Sequence, residues 1–216
     1  MMKPFISLVL GLSLLASCGN DTDSFAVARA AQAMAKATIP AASAPAAPKL
    51  RRADLKDILS PIQLISIEQR NQKALVAETA QNGSVSTWSS VDKVTISLRN
   101  GVLVATRGLG DDLMAASAQP PSLKPAGGAA YTRLYTILNG SDQPVRVSAT
   151  CSTVSNGGQT IEVVERIYQV TELVETCQAK TVTFDNQYWI DRSGNIRKSR
   201  QWVSPEVGQI VIEDLR

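Results

Sequence analysis

The sequence predicts a mostly β domain over residues 55–216, in which an antiparallel sheet rolls into a barrel-like or sandwich arrangement with one or two short helices. Short segments rich in β-branched and aliphatic residues recur from residue 55 to the end of the chain. Turn sequences such as Asn100-Gly101 separate these segments, and few stretches show a helical period. Many short strands with turn signals between them are typical of all-β domains.

The first strands lie on both sides of a strong hairpin signal. They are predicted at residues 62–67, 74–79, 92–98 and 102–106. In the third of these, apolar side chains alternate with polar ones, as expected for a strand with one buried face. Asn100-Gly101 is typical of a two-residue hairpin turn. Residues 55–59, just before Pro61, are predicted to form one turn of helix.

A glycine-rich motif follows, R-G-L-G-D-D-L-M at residues 107–114. It lacks the Gly-Lys-Ser/Thr of a phosphate-binding loop. Asp111 and Asp112 are adjacent, so their side chains diverge and cannot face one sugar as the paired carboxylates of a glycosidase do. We predict that the glycines turn the chain and that an Asp caps a helical turn at residues 111–116. Residues 115–130 are rich in Ala, Pro, Ser and Gly, which predicts a loop.

The middle of the domain contains a segment that is too long for one strand. A hairpin is predicted around Asn139-Gly140, and a second turn at Asn156-Gly157-Gly158. The strand-like run at residues 161–177 exceeds the usual length of about 3–10 residues. Its alternation slips at Val163-Val164, which predicts a bulge or a sharp bend. The remaining strands are predicted at residues 131–138, 145–151, 181–184, 187–190, 196–203 and 209–212.

Residues 1–17 have the order of a bacterial lipoprotein signal peptide. Lys3 comes before the apolar run Phe5–Leu14, and Leu15-Ala16-Ser17-Cys18 follows. The apolar run is shorter than the about 20 residues that a membrane-spanning helix needs. We expect cleavage before Cys18 and acylation of that cysteine. A plain secretory peptide with a chance cysteine is the alternative.

Residues 18–54 are predicted to carry the acylated cysteine and a tether. Ala dominates from Ala26 to Ala47, with interrupting prolines and almost no large aliphatic residues. A flexible chain of this length reaches about 30–35 Å. Gly19, rather than Asp, follows Cys18, which favours the outer membrane over the inner membrane. The folded domain is therefore expected on the periplasmic face, held there by lipid.

The composition excludes several kinds of chemistry. The chain has no histidine, which removes Ser-His-Asp and Cys-His arrangements and histidine-ligated zinc. No metal and no cofactor are expected, and the formal net charge of +3 is too small to favour nucleic acid. Besides Cys18, the chain contains Cys151 and Cys177, and an oxidising compartment favours a disulfide between them. Two buried free thiols are the alternative.

Two groups of residues are candidates for contact with a protein partner or a polysaccharide. The first is the aromatic side chain of Trp189, which could stack on a sugar, with the basic residues Arg197, Lys198 and Arg200 around the Gly194 turn. The second lies in the glycine-rich motif and comprises Arg107, Asp111 and Asp112. Core packing of the tryptophan, a solvated basic hairpin and a purely structural motif are the alternatives.

Two segments resemble the YjbF/GfcB-type group 4 capsule polysaccharide lipoprotein family. They are residues 88–114, with the Gly-Leu-Gly-Asp-Asp sequence, and residues 186–215, with Asn186-Gln187-Tyr188-Trp189 and Lys198-Ser199-Arg200-Gln201. The Cys18 signal agrees with the family. The resemblance implies a compact, mostly β lipoprotein of the outer membrane. It also implies a locus that makes or exports an extracellular polysaccharide, with a periplasmic protein and a large outer-membrane β-barrel protein as partners. It transfers no catalytic residues.

We therefore expect a non-enzymatic lipoprotein that assists capsule or exopolysaccharide assembly or export through protein partners. The alternative is a carbohydrate-binding module that holds the polysaccharide. An enzymatic function would require distant carboxylates such as Asp92, Glu165 and Asp185 to converge.

Overall fold

The computed structural model describes residues 50–118 and 129–216, and it confirms the predicted mostly β fold. The strands are β1 (Ile62–Ile67), β2 (Gln72–Asn82), β3 (Val85–Ser89), β4 (Thr95–Arg99), β5 (Val102–Arg107), β6 (Leu113–Ala116), β7 (Tyr131–Leu138), β8 (Pro144–Val163), β9 (Arg166–Ala179), β10 (Thr183–Asp191), β11 (Ile196–Ser204) and β12 (Gly208–Asp214). Two 3₁₀ helices, Arg52–Leu55 and Glu68–Arg70, are the helical elements of this part of the chain. Neither is long or apolar enough to cross a membrane. The predicted signal peptide, Cys18 and nearly all of the predicted tether lie outside the described residues.

All twelve strands belong to one antiparallel sheet. The order is β5-β4-β3-β2-β1-β12-β11-β10-β9-β8-β7-β6, so the first and last of the described strands are neighbours in the middle of the sheet. The sheet rolls until its two edge strands, β5 and β6, approach each other. The result is a nearly closed barrel with one seam that backbone pairing does not close.

Alternation along each strand separates the interior from the outer surface. In β10, Phe184, Asn186, Tyr188 and Ile190 are buried, whereas Trp189 between them is only partly buried. The interior holds a large apolar core in which aromatic rings meet: Phe184 stacks on Trp202 with ring centroids 4.2 Å apart. Burying such a side chain stabilises the fold by about 1.5–3 kcal/mol.

The structure corrects the predicted turns of the long central segment. Asn156-Gly157-Gly158 is not a turn but lies inside β8, where the register with β9 shifts between Ser155 and Gly157. The chain reverses instead at Val164 and Glu165, which both have positive φ angles. The sharp bend expected at Val163-Val164 is therefore a hairpin turn, and one long predicted strand divides between β8 and β9.

Contacts with the start of the described chain favour this unusual turn. Val163 and Val164 pack into a second apolar cluster on the outside of the sheet, with Leu64 and Leu215. The backbone N–H of Arg52 donates to Glu165 Oε2 at 2.9 Å. A β-branched residue with positive φ is strained, and these contacts offset that strain.

Of the two predicted helical turns, the first is displaced along the chain and the second is absent. A helical turn is present near the first, but it covers Arg52–Leu55 rather than residues 55–59. The second, at residues 111–116, is wrong because Leu113–Ala116 is strand β6. Leu113 is fully buried and pairs with Ile137 of β7, so packing against the core determines the extended conformation.

The predicted disulfide is present between Cys151 of β8 and Cys177 of β9. The two residues are direct partners in the antiparallel register, which follows from the hairpin turn at Val164-Glu165. Both side chains are buried in the main core. The bond therefore covalently joins the two longest strands at the end far from their turn.

We predict that Cys151→Ala with Cys177→Ala lowers the free energy of unfolding by about 3.5 kcal/mol. The two cysteines are 26 residues apart in the sequence. The loop-closure entropy that a bond of this span removes from the unfolded chain corresponds to about 3.5 kcal/mol. Chemical denaturation of the oxidised protein and of the variant measures the difference. Wild-type protein under reducing conditions should match the variant, and equal stability of all three would contradict the assignment.

Candidate functional site

A buried carboxylate, Glu175 of β9, is the centre of a polar cluster inside the barrel. Its Oε2 lies 2.7 Å from Arg133 Nη1 of β7 and accepts a hydrogen bond from Asn186 Nδ2 of β10 at 2.6 Å. Its Oε1 accepts a hydrogen bond from the Tyr131 hydroxyl at 2.6 Å. The charged side chains of Arg133 and Glu175 are each only 2% exposed. We call these four residues the Glu175 cluster.

Burial also determines the ionisation of the tyrosines around the cluster. It raises the pKa values of Tyr131, Tyr135 and Tyr188 above the usual value, and the Glu175 carboxylate raises them further. Burial opposes the charge of Arg133, but the neighbouring Glu175 carboxylate favours it, and the pKa of Arg133 is raised. The cluster is thus a neutral ion pair with protonated phenols, enclosed by the sheet.

Two cysteine sulfur atoms, which can bind metal ions in other settings, lie beside the Glu175 cluster but do not form a metal site with it. The sulfur atoms of Cys151 and Cys177 lie within 4.8 Å of a Glu175 carboxylate oxygen. These sulfurs are joined to each other, so neither is the thiolate that binds a metal ion. The carboxylate oxygens already accept hydrogen bonds from the protein. The arrangement is a structural one.

The glycine-rich motif forms the seam between β5 and β6. Asp112 accepts hydrogen bonds from the backbone N–H groups of Gly108 and Leu109, at 2.8 and 3.2 Å, and from the Thr106 hydroxyl at 2.7 Å. Gly108 has a positive φ, a conformation that glycine adopts readily. Asp112 thus caps the loop before it, not a helical turn after it.

Arg107 extends this seam with its side chain. Its guanidinium donates to the carbonyl oxygens of Leu113 and Met114 in β6, at 3.2 and 3.4 Å. These bonds partly replace the backbone ladder that β5 and β6 lack. Asp111, the residue before Asp112 in the motif, is half-buried.

The outer face of the barrel brings three of the predicted residues together. Trp189 of β10 and Lys198 of β11 are register partners, with Lys198 Nζ 5.7 Å from the centre of the indole ring. Lys198 also pairs with Glu213 of β12 at 3.2 Å. Arg200, two residues further along β11, pairs with Glu68 at 2.7 Å.

Arg197 is separate from this outer face. It contacts Asp191 at 2.8 Å and Asp214 at 3.2 Å, and Asp214 is almost completely buried. Burial would raise the pKa of Asp191, but hydrogen bonds from Asn195 and the nearby Arg197 outweigh it, and the pKa is lowered. Arg197 therefore ties the β10–β11 hairpin to β12.

The predicted residues thus fall into three places: the outer face (Trp189, Lys198, Arg200), the end of the β10–β11 hairpin (Arg197) and the seam (Arg107, Asp111, Asp112). The carboxylates Glu68 and Glu213, which complete the outer face, were missed. They come from distant parts of the sequence, and only the strand register brings them to β11. Glu175 was missed for the same reason, since a single acidic residue in a strand carries no signal of burial.

The sequence model of the family described as "Group 4 capsule polysaccharide lipoprotein gfcB, YjbF" matches residues 22–215. Among known proteins, the chain is 29% identical over 159 residues to the Escherichia coli K12 protein named "Uncharacterized lipoprotein YjbF". That alignment covers 71% of this chain and 74% of the relative.

A solved structure shares the fold. The crystal structure of the hypothetical lipoprotein YmcC from Escherichia coli K12 superposes with a TM-score of 0.70, at 18% identity. The superposition covers 77% of this chain and 89% of that one. At this identity the comparison shows that the two chains have the same fold and no more.

We predict that Glu175→Gln lowers the free energy of unfolding by about 3–5 kcal/mol, because it leaves the buried charge of Arg133 without its partner. Chemical denaturation of Glu175→Gln, Arg133→Met and the double variant forms a double-mutant cycle. The double variant should lose clearly less than the sum of the two single losses. Additive losses would show that the two side chains do not stabilise each other.

Proposed function

This chain belongs to the group 4 capsule polysaccharide lipoprotein family that includes YjbF, and from this membership we propose its function. It is an outer-membrane lipoprotein, on the periplasmic face, that assists the assembly or export of a capsule or exopolysaccharide. It does so through protein partners and is not itself an enzyme. The expected partners are a large outer-membrane β-barrel protein and periplasmic proteins of the same export system.

The match of the family to residues 22–215 is the observation that carries this proposal. It starts shortly after Cys18 and includes most of the predicted tether as well as the β domain. The family description and the name of the YjbF relative both say lipoprotein. These names support lipid attachment at Cys18, the cysteine that follows the predicted signal peptide.

Lipid attachment gives such a protein a physical advantage. Each acyl CH₂ group buried in the membrane contributes about 0.8 kcal/mol, so several chains hold the protein far better than one. The tether then lets the barrel search a limited volume near the membrane. Confinement raises its effective concentration around membrane-bound partners without any new contact.

The state of the buried carboxylates supports a non-enzymatic function. Glu175 and Asp112 accept hydrogen bonds from groups of the same domain, and Asp214 pairs with arginines. Each of these side chains stabilises the fold at its own position. The partly exposed carboxylates Glu68 and Glu213 pair with cations of β11.

We predict that Cys18→Ser releases the protein from the membrane fraction and reduces the polysaccharide at the cell surface. Without acyl chains the domain loses its confinement near the membrane. Fractionation of the envelope and staining of surface polysaccharide measure the two effects.

Ser17→Ala keeps the cysteine and a small residue before it, and it serves as the matched control. It should leave both localisation and polysaccharide unchanged. Cys18→Ser protein that stays in the membrane fraction would contradict anchoring through this cysteine. Full surface polysaccharide with released protein would contradict the need for the anchor.

A further inference from the structure

We propose that the outer face around Trp189 binds an uncharged stretch of polysaccharide directly. This inference rests on the proposed function and adds a ligand to it. The site is a row of side chains across the strands, Glu172, Trp189, Lys198 and Glu213, with an adjoining groove that Glu68 and Lys73 line and with Arg200 beside it. We call it the Trp189 site; Trp189 belongs to the row and does not line the groove.

Trp189 differs from the other two tryptophans of the chain. Trp88 and Trp202 are 2% and 5% exposed and belong to the main core. Trp189 lies on the outer face of a central strand and is partly exposed. The apolar face of an indole ring stacks on the C–H face of a sugar ring, while sugar hydroxyls bond to polar neighbours. An outward indole between charged residues has this chemistry.

The strand register places those polar neighbours in a row. Glu172 of β9 and Lys198 of β11 lie opposite Trp189 on either side, and Glu213 of β12 lies opposite Lys198. With strands about 4.8 Å apart, the row extends over about 14 Å, enough for a short oligosaccharide. It crosses the strands, so a sugar chain bound along it runs across the barrel surface.

The polar side chains of this row are already held in position. Lys198 pairs with Glu213, and Glu172 accepts a hydrogen bond from Asn156 Nδ2 at 3.3 Å. Lys198 and Glu213 side chains are 30% and 16% exposed, so each keeps some accessible surface. Groups fixed before binding lose little conformational freedom when a ligand binds.

A groove continues from the row towards β1 and β2. It has a volume of about 420 Å³, within the range of small-molecule sites, and the 3₁₀ helix Glu68–Arg70 bounds one side. Lys73, Lys198 and Glu213 line it. The Arg200–Glu68 ion pair lies beside it.

The charges of this surface favour a neutral ligand. Three cations, Lys73, Lys198 and Arg200, are balanced by three carboxylates, Glu68, Glu172 and Glu213. An acidic polymer would meet as many repulsive as attractive charges. Stacking and hydrogen bonds to hydroxyl groups remain, and these depend little on salt. We therefore assign neutral sugar residues, rather than uronic acids, to this site.

Isothermal titration calorimetry of the acylated protein in detergent tests the site, with polysaccharide purified from the cells that express it as the probe. Trp189→Ala should weaken binding by about tenfold or more, since it removes the stacking surface. Lys198→Met, which keeps an unbranched apolar chain over the ring, should weaken it less. Leu134→Ala is the matched control because Leu134 is 58% exposed and lies on β7, three strands from β10. It should bind as the wild type does.

Each other outcome overturns the inference. Unchanged binding by folded Trp189→Ala protein would show that Trp189 does not contribute to binding and would contradict the proposed site. If the wild-type protein does not bind the polysaccharide, the assignment of this ligand is contradicted. The Cys18→Ser experiment would still test the proposed function separately. A loss of more than about tenfold in affinity at about 0.5 M salt would indicate an acidic ligand. Loss of surface polysaccharide in Trp189→Ala cells, with no binding by the purified wild type, would indicate a protein-docking face instead.

Discussion

The buried Glu175 carboxylate is the contact on which the arrangement of the barrel interior depends. It binds Arg133 and Tyr131 from β7 and Asn186 from β10, while its own strand β9 is cross-linked to β8 by the disulfide beside it. This side chain and the disulfide together connect four consecutive strands of the sheet, β7 to β10. A charge in the interior is tolerated only with its partners in place, so this cluster permits few alternative registers for these strands.

The same requirement determines what the barrel presents to the outside. Asn186 and Tyr188 must face inward to meet Glu175, at 2.6 and 3.4 Å. Because side chains alternate along a strand, Trp189 must then face outward. The register with β11 places Lys198 next to it. The inward position of Asn186 and Tyr188 beside the buried ion pair therefore also determines that Trp189 lies on the outer face of β10.

Much of the fold could be predicted because the signal was local. Asn100-Gly101, Asn139-Gly140 and the Gly194 turn all connect neighbouring strands. The failures came from long-range contacts. Asn156-Gly157-Gly158 has the composition of a turn but forms a bulge, and the real turn uses Val164 and Glu165. The position of this turn is explained by the apolar cluster that includes Leu64 and by the hydrogen bond from the Arg52 backbone to Glu165. Leu64 and Arg52 are both about a hundred residues away from the turn in the sequence.

Ionisation of the tyrosines tests the central cluster most directly. Burial and Glu175 raise the pKa values of Tyr131, Tyr135 and Tyr188, so the folded state keeps these protons more tightly than the unfolded state does. The resulting stability is present below about pH 10, the usual tyrosine pKa, and is lost as the pH rises further. The measurement is tyrosinate absorbance against pH, with circular dichroism on the same samples. We predict that at most one of the four tyrosines ionises before the fold is lost. Ionisation of two or more tyrosines near pH 10 in the folded protein would contradict the enclosed cluster.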